Sequence, residues 1–192
     1  MKIRYKGITH ERTEDAPFVG ALICATDCKF NCKGCFNQKL KNERTITKSA
    51  EKIVSEIKEN PFNEGIIFGG LEWSLQPQEL LELASIASKE NLKVMIYTGC
   101  TLLEFQTIIG KSCAKENGYL DMLEKEIHTE NDNGIYAFIG GMILDTMIKT
   151  EYYIKCGKYD ENNLAVDRNH FGVYLSSNNQ TIYKFENDGG KY

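Results

Sequence analysis

Short apolar runs alternate with amphipathic helical patterns through the first half of the chain, and this alternation constrains the fold more than any other feature. Continuous apolar segments at 19–25, 65–70 and 92–99 have the length and β-branched content of buried strands. Between them, residues 47–60 and 77–91 carry apolar side chains at helical spacing. Strand and helix in this order predict βαβ units, and therefore an α/β fold with a parallel sheet.

Local capping signals mark where the helices begin. Thr47 is the expected cap of the first helix, and Pro77 suits the first turn of the second. Thr101 and Glu104 have the spacing of a capping box and predict a further short helix over 101–109.

The second half of the chain has weaker periodicity. We expect a helix at 113–127, a turn at 131–134 and a helix with an interior glycine pair at 135–149. Three strands are expected to follow, at 151–156, 171–175 and 181–185. The 192 residues are enough for one domain with a substantial core, spanning about 19–185. The last residues, from 186 onward, are expected to form a loose tail.

Composition excludes several classes of function. The net charge of −4 argues against a nucleic-acid partner bound through a broad basic face. No apolar run approaches the roughly 20 residues that a membrane span needs, so no membrane partner is expected. The amino terminus carries positive charge without an apolar stretch behind it, unlike a secretory signal. We therefore expect a cytoplasmic protein whose thiols are kept reduced.

Cysteines cluster directly after the first predicted strand. Seven cysteines are present, and three of them form the pattern Cys28-x3-Cys32-x2-Cys35 around Gly34. Three thiolates on so short a loop can each bind one iron of a cubic [4Fe–4S] cluster and leave the fourth iron open. An open coordination position is typical of a reactive metal centre rather than a structural one.

The other readings of these cysteines have less support. Cys24 lies on the predicted strand and is expected to be a small buried hydrophobe rather than a fourth ligand. A structural zinc site usually takes two separated pairs of ligands, and no second CxxC or HxxxH is present. The odd count argues against a disulfide framework, and no spacing supports a second cluster from the scattered Cys100, Cys113 and Cys156.

Candidate site residues follow each of the three predicted strands. The cysteine loop follows the first strand, residues 69–72 (Gly-Gly-Leu-Glu) follow the second, and Thr98 with Gly99 follow the third. In open α/β sheets, ligands bind beyond the carboxyl ends of the strands. The sequence therefore predicts one site at this edge. Trp73 could cover that site or face a partner, and the sequence does not choose between the two.

The CxxxCxxC pattern at the end of a first strand resembles the signature of the radical S-adenosylmethionine (SAM) enzymes. The resemblance implies an incomplete TIM-type barrel of parallel βα units, with Cys28, Cys32 and Cys35 holding a [4Fe–4S] cluster. It also implies that the amino and carboxylate groups of SAM bind the remaining iron. Reductive cleavage of SAM to a 5′-deoxyadenosyl radical is the reaction expected of such a protein.

Four further segments are similar to the activating proteins of anaerobic (class III) ribonucleotide reductases. They are CKGCFN at 32–37, IYTGCTLLEF at 96–105, YIKCGKYDE at 153–161 and GVYLSSNNQTIY at 172–183. The resemblance implies that the radical takes hydrogen from a glycine of a large glycyl-radical reductase. It also implies a flavodoxin- or ferredoxin-type electron donor.

The same resemblance assigns SAM contacts. They would come from Gly34, Phe36, Gly69, Gly70, Glu72 and Thr98. Phe36 would pack on adenine, the glycine pair would let the backbone approach SAM, and Glu72 would meet the methionine ammonium. Three departures suggest a divergent member, or an activase for a different glycyl-radical partner: residues 14–22 lack the family's Gly-Pro-Gly and arginine, Leu71 stands where the family has an acid, and 110–150 is long.

Two alternatives stay open. One is a small radical SAM enzyme that acts on a metabolite, of the 7-carboxy-7-deazaguanine synthase type, which would form its product without a partner protein. The other is a non-catalytic iron–sulfur electron carrier, whose cluster would not respond to SAM.

Overall fold

The computed structural model describes residues 1–116, 132–167 and 171–186. Its strands are β1 (Lys2–Tyr5), β2 (Ile8–Arg12), β3 (Gly20–Cys24), β4 (Ile46–Ser49), β5 (Gly65–Gly69), β6 (Lys93–Thr98), β7 (Tyr152–Cys156) and β8 (Thr181–Phe185). Its helices are α1 (Ala50–Glu59), α2 (Pro77–Lys89), α3 (Leu102–Glu116) and α4 (Asp132–Met147).

Six strands form the main sheet, in the order β2-β3-β5-β6-β7-β8. The four inner strands are parallel, and β2 and β8 pair antiparallel at the two edges. The prediction of an α/β fold with a mostly parallel sheet is confirmed. The register places Cys24 opposite Gly69 and Thr98 opposite Cys156, so the carboxyl ends of the parallel strands finish at one edge.

Apolar side chains cover both faces of the sheet. On one face, the four helices pack over strand residues such as Ile23, Phe68 and Ile154. On the other face, a smaller cluster joins Ile67 and Met95 to residues of the 16–18 loop and to Val173. Strands buried on both faces need apolar residues at every position, which is why they appear in the sequence as continuous apolar runs.

A small second sheet, β1 paired antiparallel with β4, was not predicted. Its presence makes the predicted cap of α1 wrong, because Thr47 lies in β4 opposite Arg4. Ser49 caps the helix instead, and its Oγ accepts a hydrogen bond from the Lys52 backbone N at 3.4 Å. The capping box of α3 is confirmed. The Thr101 hydroxyl accepts a hydrogen bond from the Glu104 backbone N, and the Glu104 carboxylate accepts one from the Thr101 backbone N.

Helices α3 and α4 lie unusually close together. A Cβ built on Gly110 would stand 2.0 Å from the Tyr136 carbonyl oxygen, and one on Gly140 would stand 1.9 Å from the Gln106 carbonyl oxygen. Only glycine fits at these two positions without moving a backbone. The interior glycines of the predicted helix at 135–149 are thus contact points between helices.

Two predicted elements differ from the structure. The turn expected at 131–134 is wrong for residues 132–134, which form the first turn of α4, while residue 131 lies outside the described residues. The strand expected at 171–175 does not form: in this segment Tyr174 makes a single isolated β-bridge. Of the helix expected at 113–127, residues 113–116 belong to α3 and the remainder lies outside the described residues, as does the expected tail from residue 187 on.

Candidate iron–sulfur site

A cavity of about 130 Å³ opens at the carboxyl edge of the parallel strands. Segments that follow β3, β5, β6 and β7 all contribute to its wall, so residues far apart in sequence meet there. Its lining is Cys28, Phe30, Cys32, Cys35, Asn37, Gln38, Gly70, Leu71, Glu72, Tyr97, Thr98, Gly99, Lys155, Gly157, Lys158 and Tyr159.

The three cysteines of the predicted ligand set line this one cavity, and all three are partly exposed. The Cys28 thiol donates to the Phe30 carbonyl oxygen at 3.5 Å, and the Cys35 backbone N donates to the Cys32 carbonyl oxygen at 3.3 Å. Burial raises the pKa of the Cys28 thiol. Within the part of the chain that the structure describes, no three His, Cys, Asp or Glu side chains are grouped as a metal site requires. The thiols therefore share a cavity without converging on one point.

This donor set fits an iron–sulfur cluster better than a harder metal. Thiolates are soft ligands that favour zinc, Cu(I) and iron–sulfur clusters over magnesium or calcium. Residues 28, 32 and 35 of this short loop line the same cavity, and three thiolates so spaced suit three different irons of one cluster.

The loop after β7 supports the cysteine loop. Gly34 has a φ of +73°, and a Cβ there would stand 2.7 Å from a carboxylate oxygen of Glu161. The same carboxylate pairs with the Lys33 Nζ at 2.5 Å. Gly34 does not line the cavity. Its left-handed backbone and its close approach to Glu161 are sufficient reasons for glycine at this position.

The glycine pair after β5 packs against β3. Gly70 has a φ of +74°, and a Cβ there would stand 2.5 Å from the Cys24 Sγ. A Cβ on Gly69 would stand 2.9 Å from the Leu22 Cδ1. Of the two, Gly70 lines the cavity. The pair lets the chain leave β5 and turn along the cavity wall while touching the neighbouring strand.

Glu72 is the centre of a buried hydrogen-bond network. Its side chain is 2% exposed, and its carboxylate accepts from the Ser74 backbone N at 3.0 Å, the Thr98 hydroxyl at 2.9 Å and the Gly99 backbone N at 2.8 Å. These bonds connect the segment after β5 to the end of β6. Both Glu72 and Thr98 line the cavity, so the structure brings these two predicted site residues together with the thiols.

Lys155 and Tyr97 were missed by sequence reasoning. They are cross-strand partners in β7 and β6, and the Lys155 Nζ lies 4.5 Å from the centre of the Tyr97 ring. Burial lowers the pKa of Lys155 to about 8, while Asp15 acts weakly in the opposite direction. The Tyr97 hydroxyl donates to the Asp15 carbonyl oxygen at 2.5 Å. Lys155 could have been found from the sequence, because a charged residue inside the otherwise apolar strand YYIKC is unusual.

Several other predicted positions lie elsewhere. Phe36 is 77% exposed and is not among the residues that line the cavity. Phe30 is the phenylalanine at the wall, beside the lining tyrosines Tyr97 and Tyr159, and it is close enough to Gly99 that a Cβ there would stand 2.5 Å from its ring. Trp73 is fully buried and its Nε1 donates to the Ile23 carbonyl oxygen at 3.2 Å. It is a core residue and neither covers the site nor faces a partner.

The remaining cysteines do not assemble with the predicted ligands. Cys24 was expected to be a small buried hydrophobe, but it is only half-buried, beside Gly70. Cys100 and Cys156 are buried on the helix side of the sheet, where burial raises the pKa of Cys156 to about 12. None of these three is a lining residue of the cavity.

Parallel strands that end at a three-thiol loop define a class of protein built to hold a cofactor at the edge of an α/β sheet. The model of a family described as a 4Fe-4S single cluster domain matches residues 19–132, and the chain belongs to this family. The matched segment begins at the entry to β3 and contains the three cysteines, the glycine turn and Thr98. No curated protein matches the chain.

The family makes a [4Fe–4S] cluster the cofactor class of this protein. In residues 1–116, 132–167 and 171–186, no helix combines the length and the apolar character needed to cross a membrane.

Proposed function

We propose that this protein is a radical SAM activase, which generates a glycyl radical on a large anaerobic ribonucleotide reductase. The observation that carries the proposal is the shared cavity: the CxxxCxxC thiols, the glycine turn with Glu72, and Thr98 line one space at the carboxyl edge of the sheet. In this proposal the parallel strands form the wall of an incomplete TIM-type barrel, and the protein works in the reducing cytoplasm.

Cys28, Cys32 and Cys35 would hold the cluster, and the cavity wall would hold the amino-acid part of SAM. When bound, the cluster would supply one electron to the sulfonium of SAM, which separates into methionine and a 5′-deoxyadenosyl radical. The chain's own contribution is to bind and orient the ligands and to limit access of water.

Glu72 can still accept one hydrogen bond from a ligand. A carboxylate offers about four lone-pair directions. The Ser74 N and the Thr98 hydroxyl use two on Oε1, and the Gly99 N uses one on Oε2. The remaining direction on Oε2 suits an N–H of the amino group of SAM. Gly70 would let the backbone approach the same ligand, because no Cβ intervenes.

The exposed Phe36 suits contact with the partner reductase. It follows Cys35 directly, and 77% of its side chain is exposed. Aromatic residues are enriched at protein–protein interfaces, and Phe36 lies directly beside a thiol of the cysteine loop. We propose that Phe36 meets the segment of the partner that carries the glycine.

The charge around the cysteine loop suits an acidic electron donor. Residues 29–44 contain five basic residues and one acidic residue, a net charge of +4 in a chain whose total is −4. All but one of these basic side chains are exposed, namely Lys29, Lys33, Lys39 and Arg44. A basic surface beside a redox centre favours encounter with an acidic flavodoxin- or ferredoxin-type protein.

The second candidate is a non-catalytic single-cluster electron carrier, which the family match by itself equally permits. A carrier usually gives each iron a protein ligand. Among the described residues, three cysteines line the cavity and Cys24 does not. This arrangement favours a radical SAM enzyme over an electron carrier.

The test is electron paramagnetic resonance of the anaerobically reconstituted, dithionite-reduced protein with and without SAM, alongside iron and sulfide analysis. We expect about four irons per chain and a cluster signal that SAM shifts, because a ligand to the open iron changes its electronic environment. A full cluster whose signal ignores SAM would refute the radical proposal and favour the carrier.

A second step tests the partner. The reduced protein is mixed with SAM and a purified class III reductase, and a glycyl-radical signal is sought. A SAM-dependent signal on the reductase supports the activase. A SAM-responsive cluster that cleaves SAM without any such signal would favour an enzyme that acts on a metabolite.

A further inference from the structure

Two buried side chains of opposite charge line the cavity and do not pair with each other. Glu72 is 2% exposed and Lys155 is 7% exposed. Within the described part of the chain, neither forms an ion pair. The Lys155 Nζ lies 4.5 Å from the centre of the Tyr97 ring and is attracted by the charge of Asp15, with which it forms neither an ion pair nor a hydrogen bond. The cavity therefore has a negative and a positive pole.

A buried ammonium without a carboxylate partner is costly for the fold. Removing a charge from water is unfavourable unless an opposite charge or several hydrogen bonds replace the water. A ring face compensates only part of this cost. Residues that reduce stability in this way are concentrated at binding and catalytic sites.

The position of the Lys155 ammonium is well defined. Lys155 and Tyr97 are directly opposite each other on adjacent parallel strands. The Tyr97 ring is itself held by the hydrogen bond from its hydroxyl to the Asp15 carbonyl oxygen at 2.5 Å. A charge placed by two rigid strands is prepared to bind before the ligand arrives.

We propose that the Lys155 Nζ binds the carboxylate of an amino-acid ligand, with the N–H groups of the amine of the same ligand directed toward Glu72. This inference rests on the proposed function, in which the ligand is SAM. It makes Lys155 a specificity residue that selects a ligand with a carboxylate beside its amine. A sulfonium nucleoside that lacks the carboxylate gains nothing from Lys155.

The test compares two ligands and three proteins. The ligands are SAM and decarboxylated SAM, which retains the sulfonium and the amine but lacks the carboxylate. The proteins are wild type, Lys155→Met and Lys158→Met, each reconstituted and matched for iron content. Lys158 is the matched control, since it lines the same cavity but is exposed. Binding is measured anaerobically by isothermal titration calorimetry.

We expect Lys155→Met to weaken SAM binding at least tenfold and to change binding of decarboxylated SAM by less than twofold. Lys158→Met should change both by less than threefold. Equal losses for the two ligands in Lys155→Met, or no loss for either, would overturn the role of Lys155 while leaving the proposed function in place. Failure of the wild-type holoprotein to bind SAM at all would overturn the proposed function and this inference together.

Thermal unfolding separates binding from packing. If Lys155 is kept for a ligand, Lys155→Met should raise the Tm of the ligand-free protein, because a buried unpaired charge is replaced by an apolar side chain of similar length. A lowered Tm together with equal losses for both ligands would assign Lys155 to packing alone and overturn the inference.

Discussion

At the residue scale, the candidate site depends on positions where only one side chain satisfies both the backbone and its neighbours. Gly70 combines a left-handed backbone with contact to the Cys24 thiol. Glu72 fills its place by accepting three hydrogen bonds while remaining at the cavity wall. The requirement for glycine at position 70 arises from a contact with β3, and the hydrogen bonds of Glu72 reach the end of β6. Both requirements therefore exist only once the sheet has assembled.

Replacement of a proposed cluster ligand should abolish cluster binding. We expect Cys28→Ala, Cys32→Ala and Cys35→Ala each to lower reconstituted iron from about four per chain to less than one, because an iron loses its thiolate. Cys24→Ala is the matched control and should retain iron, since Cys24 does not line the cavity. Iron and sulfide analysis decides the matter. Loss of iron in Cys24→Ala would make Cys24 a fourth ligand.

Alanine at Gly70 should destabilise the protein. The positive φ and the contact with the Cys24 Sγ together should lower the free energy of unfolding by about 1–3 kcal/mol. Urea unfolding of the apoprotein measures the change. Gly7→Ala is the control, because a Cβ there meets nothing within 4 Å. Equal stability of the two variants would contradict the backbone argument.

Glutamine at Glu72 should also be unfavourable. The amide replaces an acceptor with a donor in a place where three donors point inward, so at least one buried group is left unpaired. The expected loss is about 1–3 kcal/mol of unfolding free energy. Glu64→Gln, which alters only an exposed pair with Lys93, should change it by no more than about 0.5 kcal/mol. Equal effects in the two variants would refute the network.

At the scale of elements, the closeness of α3 and α4 is the most demanding contact in the described structure. Gly110 and Gly140 each stand where a Cβ would overlap the backbone of the opposite helix. Gly134, in the first turn of the same helix α4, has nothing within 4 Å of its Cβ position. Gly134 and Gly140 of α4 thus offer the same substitution in opposite environments.

Gly140→Ala and Gly134→Ala should therefore change stability in opposite directions. We expect Gly140→Ala to lower the free energy of unfolding by about 3 kcal/mol or more, because the helices must separate. Gly134→Ala should raise it by up to about 1 kcal/mol, since alanine favours the helix. Chemical denaturation checks both. A Gly140→Ala variant as stable as wild type would show that the helices are not in this close contact.

At the scale of the whole molecule, charge is distributed unevenly. The chain as a whole is acidic, while the segment of residues 29–44 at the cofactor edge is basic. Net charge governs solubility, whereas a local excess of one sign governs the encounter with a charged partner. In the proposed function, this basic segment with the cysteine loop would face the acidic electron donor.

Reversal of charge in this segment should slow reduction of the cluster by an acidic flavodoxin. We expect the double variant Lys39→Glu, Lys41→Glu to lower the second-order rate constant about tenfold at low salt and to match wild type near 1 M salt, where charges are screened beyond about 3 Å. Stopped-flow absorbance measures the rate. Lys89→Glu, at the end of α2, is the control and should have little effect. A salt-independent difference would argue against electrostatic steering.

The sequence predicted the βα units well because their signals are local. The strands at 20–24, 65–69 and 93–98 and the helix that begins at Pro77 depend on runs and periods readable within a dozen residues. The strand β4 was missed because its pairing with β1 joins residues more than 40 positions apart. Thr47 was misread as a cap for the same reason.

The sequence by itself determined the order of the parallel strands β3, β5, β6 and β7, the spacing of the three thiols and the edge of the sheet at which they lie, since chain direction and periodicity are local properties. Only the tertiary structure decided which side chains share the cavity: it admitted Lys155 and Tyr97, engaged Glu72 in internal hydrogen bonds and left Phe36 exposed. Those outcomes depend on strand register and on contacts between distant segments, and a pattern within one segment carries no record of either.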